Sequence, residues 1–153
     1  MLVAQVMNHD ARRVIEGTSI REAVEHLVAT QVSDLAVVDN QENLVGILSE
    51  GDVLRILIPD LNEVISAGGS LDDACRFFLE NGPHLAEQTI DPLIIRNPIT
   101  VSPDDPLLKV ATVMVDRMLR RVPVVDKGRF VGSISRADLA SALIRGDQGG
   151  QKA

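Results

Sequence analysis

The 153-residue chain is poor in aromatic residues and in basic charge. It contains three Phe but no Tyr or Trp, so it offers few surfaces on which the bases of a single strand could stack. Its 15 basic residues are outnumbered by 22 acidic ones, which gives a net charge of −7. Proteins that bind nucleic acid draw most of their affinity from excess basic charge. We therefore expect no nucleic acid among its partners.

Cysteine and long hydrophobic runs are also scarce. The single cysteine, Cys75, cannot form a disulfide within the chain, which is compatible with a reducing cytoplasm. No apolar run approaches the roughly 20 residues that are needed to cross a bilayer. Residues 1–7 lack both the basic start and the apolar core of a signal peptide. We expect a cytoplasmic protein with no membrane partner.

The chain lacks the residue groups that usually carry catalysis or metal binding. Its histidines, His9, His26 and His84, are scattered without the spacing of metal ligands. There is no P-loop, and residues 131–135 lack the second glycine of a nucleophile elbow. We predict that the protein is not an enzyme and requires neither a metal nor a cofactor.

What the chain does contain is an internal repeat. An apolar run ends at Asp39, a second run carries Gly46, and Ser49-x-x-Asp52 follows. The same order recurs at Asp126, which lies 87 positions after Asp39, and at Gly132 and Ser135-x-x-Asp138, each 86 positions after its counterpart. A duplication of this kind constrains the architecture more than any local pattern does.

An amphipathic helix is predicted ahead of each pair of apolar runs. The apolar positions fall on one helical face in both repeats: Ile20, Ala23, Val24, Leu27 and Val28 in the first, and Leu107, Val110, Ala111, Met114 and Val115 in the second. Thr18 or Ser19 suits the first N-cap, with Glu22 completing a capping box after Ser19. Asp105 suits the second N-cap, with Pro106 at the first helical position.

The order of apolar strand, Asp, turn, Gly-bearing strand and Ser-x-x-Asp resembles the cystathionine-β-synthase-type (CBS) domain, here in tandem. The resemblance implies an α/β (α+β) fold in which two β-α-β-β-α repeats pack about a pseudo-twofold axis. The predicted boundaries are repeat 1 at 1–58, a helical insertion at 59–92, repeat 2 at 93–145 and a disordered tail at 146–153.

The predicted insertion contains two helix patterns. Residues 60–67 form one, and a second begins at Ser70, with Asp73 in the box position, and ends at residues 81–83, Asn-Gly-Pro. A link of this length with its own helices has a structural or functional role. Covering a sheet edge, gating a cleft and docking a second subunit all remain open.

The Ser-x-x-Asp motifs have two interpretations. From the residues alone each is a helix N-terminus, where serine caps and aspartate complements the helix dipole. The resemblance implies in addition that the aspartate accepts hydrogen bonds from ribose hydroxyls, that basic residues contact phosphate and that apolar residues hold adenine. The nucleotide-binding residues that it implies are Thr100, Val101, Arg120, Arg121, Val122, Pro123, Ser135, Arg136 and Asp138.

Repeat 1 departs from this set. Ser33 and Asp34 replace the two arginines before the strand, Ala36 replaces the proline, Glu50 replaces Arg136, and Arg13 replaces Thr100. Acidic residues there repel phosphate, so the predicted nucleotide site is the one on repeat 2. A possible second site with Val14, Ala36, Ser49 and Asp52 is either empty or accepts a less anionic compound such as S-adenosylmethionine.

The resemblance favours a regulatory module that binds an adenosine-type ligand (AMP, ADP, ATP or S-adenosylmethionine), senses energy or metabolite levels, and acts in trans on an unknown protein partner. It also implies a homodimer that hides an apolar face of helices. The alternative is a ligand-independent dimerisation or protein-interaction module in which the Ser-x-x-Asp motifs only cap helices.

Overall fold

The computed structural model describes residues 1–146, so the predicted tail lies outside the described residues except for Gly146. The strands are β1 (Arg13–Ile15), β2 (Asp34–Val38), β3 (Leu44–Ser49), β4 (Ile95–Arg96), β5 (Arg121–Asp126) and β6 (Arg129–Ser135). The α-helices are α1 (Ile20–Thr30), α2 (Glu50–Leu57), α3 (Leu61–Ser66), α4 (Leu71–Leu85), α5 (Leu107–Asp116) and α6 (Arg136–Arg145). Short 3-10 helices cover Val3–Gln5 and Asp91–Leu93. The predicted mixed α/β fold is confirmed.

Each repeat builds most of one half of the molecule, and each half contains a small sheet on the same plan. In the first half the strand order is β1-β2-β3-β4, with β1 parallel to β2 and the other pairs antiparallel. In the second half the β5-β6 hairpin is extended by a parallel bridge from Val101 to Val124 and an antiparallel bridge from Asn8 to Ser133. The first bridge repeats the Val14–Val37 pair of the other sheet 87 positions later.

The first segment of each repeat, residues 3–12 in repeat 1 and residues 90–99 in repeat 2, packs on the half that the other repeat builds. We call this segment the leader of its repeat. Val3 and Met7 belong to the hydrophobic core of the second half, and Ile90 and Ile94 belong to that of the first. Backbone hydrogen bonds fix both leaders, for example from the Ile90 amide to the Thr18 carbonyl at 2.9 Å. Neither core is complete without residues from the other half.

Two glycines allow the leaders to cross the sheets closely. A Cβ atom added to Gly46 would lie 2.3 Å from the carbonyl oxygen of Ile95, and one added to Gly132 would lie 2.4 Å from that of Asn8. Both distances are far below van der Waals contact, so any larger residue would displace the crossing backbone. The repeated glycine is therefore a packing requirement of the swapped leaders.

The predicted helix starts are correct for α1 and off by one residue for α5. The hydroxyl of Ser19 accepts a hydrogen bond from the Glu22 amide at the start of α1. The N-cap of α5 is Pro106 and not Asp105. The Asp105 carboxylate instead accepts a hydrogen bond from the Ser102 amide and pairs with the Lys109 ammonium, both at 2.8 Å.

In the chain, helices α3 and α4 follow β1 to α2 of the first half and precede α5 to α6 of the second. Asp60 caps α3, and Ser70 caps α4. The predicted end of the second helix at residues 81–83 is wrong, because α4 continues to Leu85 with Pro83 inside it. A proline inside a helix removes one hydrogen bond, and its ring crowds the carbonyl four residues earlier, so other contacts must stabilise the last turn. Leu85 packs against the core of the first half, and the Asn81 side chain donates to the Ile56 carbonyl at 3.4 Å, so tertiary contacts hold this last turn.

Candidate functional site

Two clefts open between the halves and correspond to each other through the 87-residue repeat. Cleft I, about 310 Å³, lies between the first leader with β2 and the β5-β6 hairpin, and its polar lining includes Asn8, Asp10, Arg12, Asp34, Arg121 and Ser133. Cleft II, about 460 Å³, lies between the second leader with the start of β5 and the β2-β3 hairpin, and its polar lining includes Ser33, Asp34, Ser49, Asn97, Arg120 and Arg121. Both clefts are lined by residues of both halves.

Asp34 and Arg121 meet on the pseudo-twofold axis. Asp34 begins β2 and Arg121 begins β5, so they hold the same position in the two repeats. The Arg121 Nε atom is 3.7 Å from Asp34 Oδ1, and its Nη1 atom donates to the Ser133 hydroxyl at 2.9 Å. Both side chains line both clefts.

The carboxyl group of Asp34 is unusually placed for an acid. Its side chain is 22% exposed, and burial raises its pKa above the ordinary value. The Arg121 guanidinium acts in the opposite direction, while the neighbouring carboxylate of Glu50 raises the pKa further. At 3.7 Å the Arg121 guanidinium therefore compensates only part of the cost of holding this carboxylate ionised between the clefts.

Arg120 supplies the second positive charge of cleft II. It is exposed, lines cleft II together with Arg121, and is not part of the lining of cleft I. Among residues 1–146 it forms no ion pair. The wall of the same cleft includes the apolar side chains of Ile95 and Ile99, so cleft II combines apolar residues with two arginines that are neighbours in the sequence.

The third predicted arginine lies elsewhere. The Arg136 guanidinium donates to the carbonyl of Leu119 at 2.5 Å and to that of Met114 at 3.0 Å. The Met114 carbonyl lies in the last turn of α5, where a cation is favoured by the helix dipole, and Leu119 lies three residues past the end of the helix. The structure brings Arg120 and Arg121 together but holds Arg136 against this helix end.

Ser135 and Asp138 form a complete capping box at the start of α6. The Ser135 hydroxyl accepts from the Asp138 amide at 3.1 Å, and Asp138 Oδ2 accepts from the Ser135 amide at 2.9 Å. Asp138 lines neither cleft; it borders a small cavity of about 160 Å³ that is also lined by Met1, Gln5 and Arg145. The capping interpretation is observed directly, and the ribose-binding role stays a prediction.

The corresponding pair in repeat 1 sits beside cleft II. Ser49 caps α2 by accepting from the Asp52 amide at 3.2 Å, and its hydroxyl donates to Asp52 Oδ2 at 2.6 Å. The Asp52 carboxylate also pairs with Arg55. Ser49 itself lines cleft II, alongside Arg120 and Arg121 of the other repeat.

The residues predicted to hold adenine are dispersed. Val101 and Val122 are buried in the core of the second half, and Val14 is buried in that of the first. Thr100 is exposed just before the Val101 bridge. The remaining two, Pro123 and Ala36, occupy equivalent positions in the repeats and both line cleft I.

Sequence reasoning missed the contribution of the leaders to the clefts. Asp10 and Arg12 line cleft I, and Asn97 and Ile99 line cleft II at the same positions of the repeat. The predicted site used residues of repeat 2 only, whereas each cleft takes lining residues from both repeats. The recurrence of Val3 and Met7 as Ile90 and Ile94, at the same 87-residue spacing, was the signal that could have identified the leaders.

Residues 1–146 contain no cluster of three or more His, Cys, Asp or Glu side chains that could hold a metal ion. Within the same range no helix has the length and apolar character that a membrane span requires.

Comparison with known proteins agrees with the repeat. The family model described as the CBS domain matches residues 3–59 and 90–145. A CBS domain-containing protein of Dictyostelium discoideum is 28% identical over 95% of this chain and 92% of its own length. A relative from Methanocaldococcus jannaschii, also 28% identical over 92% of this chain, is longer, and the chain spans 42% of it.

Two solved structures with the same fold were determined with adenosine compounds. The structure of CBSX2 in complex with AMP matches with a TM-score of 0.72 and 26% identity, covering 94% of this chain and 96% of that one. The CBS domain pair of protein MJ0100, in complex with 5′-methylthioadenosine and S-adenosyl-L-methionine, matches with a TM-score of 0.66 and 26% identity, covering 97% and 98%.

Proposed function

Because the chain belongs to the CBS domain family as a tandem pair, we propose that it is a regulatory module that binds an adenosine nucleotide in cleft II. The observation that carries this proposal is that two consecutive arginines, Arg120 and Arg121, line one cleft with apolar walls in an acidic protein. The AMP complex of CBSX2 supports the choice of ligand class.

The chemistry of cleft II suits a nucleoside phosphate. Arginine contacts phosphate through a planar fork of N–H donors, and two of them provide several such contacts. Ile95 and Ile99 give an apolar wall for a base. A volume of about 460 Å³ falls within the range of about 300–1,000 Å³ that is usual for small-molecule sites.

We place the ribose near Ser49 and Asp52 of repeat 1. Ser49 lines the cleft, and its hydroxyl is hydrogen-bonded to Asp52, whose side chain is 11% exposed and lies behind Ser49, outside the lining itself. A carboxylate suits two vicinal hydroxyls, because it accepts both hydrogen bonds without donating. This arrangement joins the carboxylate of one repeat to the arginines of the other, whereas the sequence placed the whole site on repeat 2.

A ligand bound in this way contacts both halves, which gives it a means of regulation. The ligand stabilises the arrangement of the halves in which Ser49 and the two arginines all lie within hydrogen-bonding distance of it. The extent of the shift is limited by the difference in its affinity for the two arrangements. We propose that a protein partner, recognised in trans, responds to this change.

We propose further that the protein is a homodimer. The helical side of the molecule exposes large apolar side chains on both halves: Val28 at 71%, Leu108 at 79%, Val115 at 70% and Ile144 at 88%. Several large apolar side chains exposed on helices favour an interaction surface. Their exposure is also the observation that favours the alternative function, a dimerisation or interaction module that needs no ligand.

The test is a thermal-shift titration with AMP, ADP, ATP and S-adenosylmethionine, with GTP as the control. A ligand at 100 times its dissociation constant adds about 2.7 kcal/mol to the free energy of unfolding. Arg120→Gln and Arg121→Gln should reduce the shift, whereas Arg117→Gln, at the end of α5 and outside both clefts, should not. No shift with any adenosine compound at millimolar concentration would favour the ligand-independent module.

A further inference from the structure

The two clefts share one arginine and one aspartate. Arg121 and Asp34 line both cleft I and cleft II, and they contact each other at 3.7 Å between them. The Ser133 hydroxyl holds Nη1 of the guanidinium, so the same donor group stands at the boundary of both cavities. No rearrangement of the backbone is needed for Arg121 to serve either one, but one guanidinium cannot be committed to both.

The remaining charges make the clefts unequal. Arg120 lines only cleft II, so that cleft holds two arginines against Asp34. Cleft I has Arg12 in addition to Arg121, but Asp10 and Asp34 oppose them. Among its lining residues cleft II therefore carries one net positive charge and cleft I none, which favours cleft II as the first site for an anion.

We propose that the Asp34–Arg121 pair is a specificity-determining element through which an anionic ligand in one cleft weakens the binding of an anionic ligand in the other. A phosphate in cleft II draws Arg121 to itself. Cleft I is then left with Arg12 against Asp10 and an Asp34 that has lost its partner. A second phosphate there meets net negative charge, whereas a neutral or cationic adenosine compound does not.

This inference rests on the proposed function of cleft II, and it extends that function from one ligand to two. It describes a negative coupling between sites, which for proteins usually amounts to about 5–150-fold in affinity. Because coupling is reciprocal, an anion forced into cleft I would weaken binding in cleft II by the same factor.

Isothermal titration of the full-length protein with AMP tests the coupling. We expect the wild type to bind one AMP per chain, with a second AMP at least about fivefold weaker. Adenosine, which lacks the phosphate, should not show this penalty when it is added to the AMP-saturated protein. Arg120→Gln should weaken the first AMP and Arg12→Gln the second, with Arg117→Gln as the control outside both clefts.

Substitution of the shared carboxylate gives the decisive comparison. Asp34→Asn removes one negative charge from the lining of both clefts, so it should strengthen the binding of both AMP molecules and leave the gap between their affinities in place. Asp34→Arg, with its folding checked by circular dichroism, gives each cleft its own guanidinium and should bind two AMP.

The possible results separate the two proposals. Two equal and independent AMP sites in the wild type would overturn the coupling and leave the proposed function intact. An unchanged gap between the two affinities in Asp34→Arg would also overturn the coupling. No AMP binding by the wild type would remove the proposed function and the coupling with it.

Discussion

Asp34 and Arg121 occupy one position of a repeat, yet they carry opposite charges and different roles. Because they meet across the pseudo-twofold axis, the two repeats contribute opposite charges to one contact, an ion pair at 3.7 Å. The pair is only partly exposed, and such pairs contribute little net stability because desolvation offsets their attraction. Its value to the protein lies in the two clefts that it separates.

The pH dependence of stability follows from the raised pKa of Asp34. Burial, opposed by Arg121 and reinforced by Glu50, makes the folded protein hold the Asp34 proton more tightly than the unfolded chain does. The group therefore contributes stability below its unfolded pKa, and this contribution is lost as the pH rises through the folded pKa. At pH 7 the ionised carboxylate is a cost.

We expect Asp34→Asn to raise the free energy of unfolding at pH 7, by less than about 1 kcal/mol, because loss of the pair with Arg121 offsets part of the gain. The difference from the wild type should shrink as the pH falls towards 4. Urea unfolding at several pH values measures it. Glu80→Gln, an exposed site on α4, controls for the change in net charge. A difference that grows on acidification would contradict the assignment.

Helices α2 and α6 start with the same motif but in different surroundings. Both begin at a serine whose hydroxyl accepts from the amide of the aspartate three residues on. Ser49 lines cleft II with Asp52 hydrogen-bonded directly behind it, whereas neither Ser135 nor Asp138 lines a cleft. The motif is a local signal for a helix start in both places, and the surrounding elements decide whether a ligand also reaches it.

We therefore expect Asp52→Ala and Asp138→Ala to have different effects on ligand binding. Each removes a carboxylate that interacts with its helix cap and should destabilise the protein by about 1 kcal/mol. Only Asp52→Ala should weaken AMP binding, by about tenfold or more, because charge-assisted hydrogen bonds contribute about 1.5–3 kcal/mol. Titration calorimetry and thermal unfolding of the two variants provide the comparison. Equal loss of AMP affinity in both would place the ribose elsewhere.

At the scale of the whole molecule, the exchange of leaders ties the halves together. Ile90 is fully buried in the core of the first half although it precedes the second repeat in the chain. Val3 is fully buried in the core of the second half. A destabilising substitution in either leader should therefore lower the stability of the half that is remote from it in sequence.

Ile90→Ala should destabilise the protein by about 2–5 kcal/mol, since it leaves a cavity in a packed core. Hydrogen exchange should show the earliest loss of protection in β1, α1 and β2, which pack around Ile90 in the first half. Ile65→Ala, at a position that is 62% exposed on α3, is the matched control and should change little. Loss of protection confined to the second half would refute the exchange.

The exposed apolar side of the helices predicts self-association. Sedimentation equilibrium should give twice the 16.5 kDa mass of the chain. Ile144→Glu should return the mass to that of one chain, because a charge at an 88% exposed apolar position would be desolvated in the interface. Ile65→Glu, on the inserted helix α3, tests whether the insertion shares this surface. A wild-type mass of 16.5 kDa would exclude the dimer.

The sequence alone determined the features that depend on neighbours in the chain. Local patterns predicted the hairpin turns, the apolar faces of α1 and α5 and the serine caps. Each of these is set by residue spacing or by hydrogen bonds across three or four residues, and the repeat is visible as the recurrence of the same patterns. The sequence also indicated the arginine pair Arg120 and Arg121, which the structure places together at one cleft. The sequence did not determine that Arg136 would be held by carbonyls at the end of α5.

Only the tertiary structure decided which half each leader completes, and with it the composition of the clefts. A duplicated pattern is compatible with leaders that pack on their own repeat or on the other, since both would bury the same apolar residues. The choice depends on long-range contacts, such as the approach of Ile95 to Gly46 and of Asn8 to Gly132. The same long-range packing places Arg120 and Arg121 at the cleft that Ser49 lines, and it brings Arg121 next to Asp34. Asp34 and Arg121 are 87 positions apart, so they meet only in the folded chain.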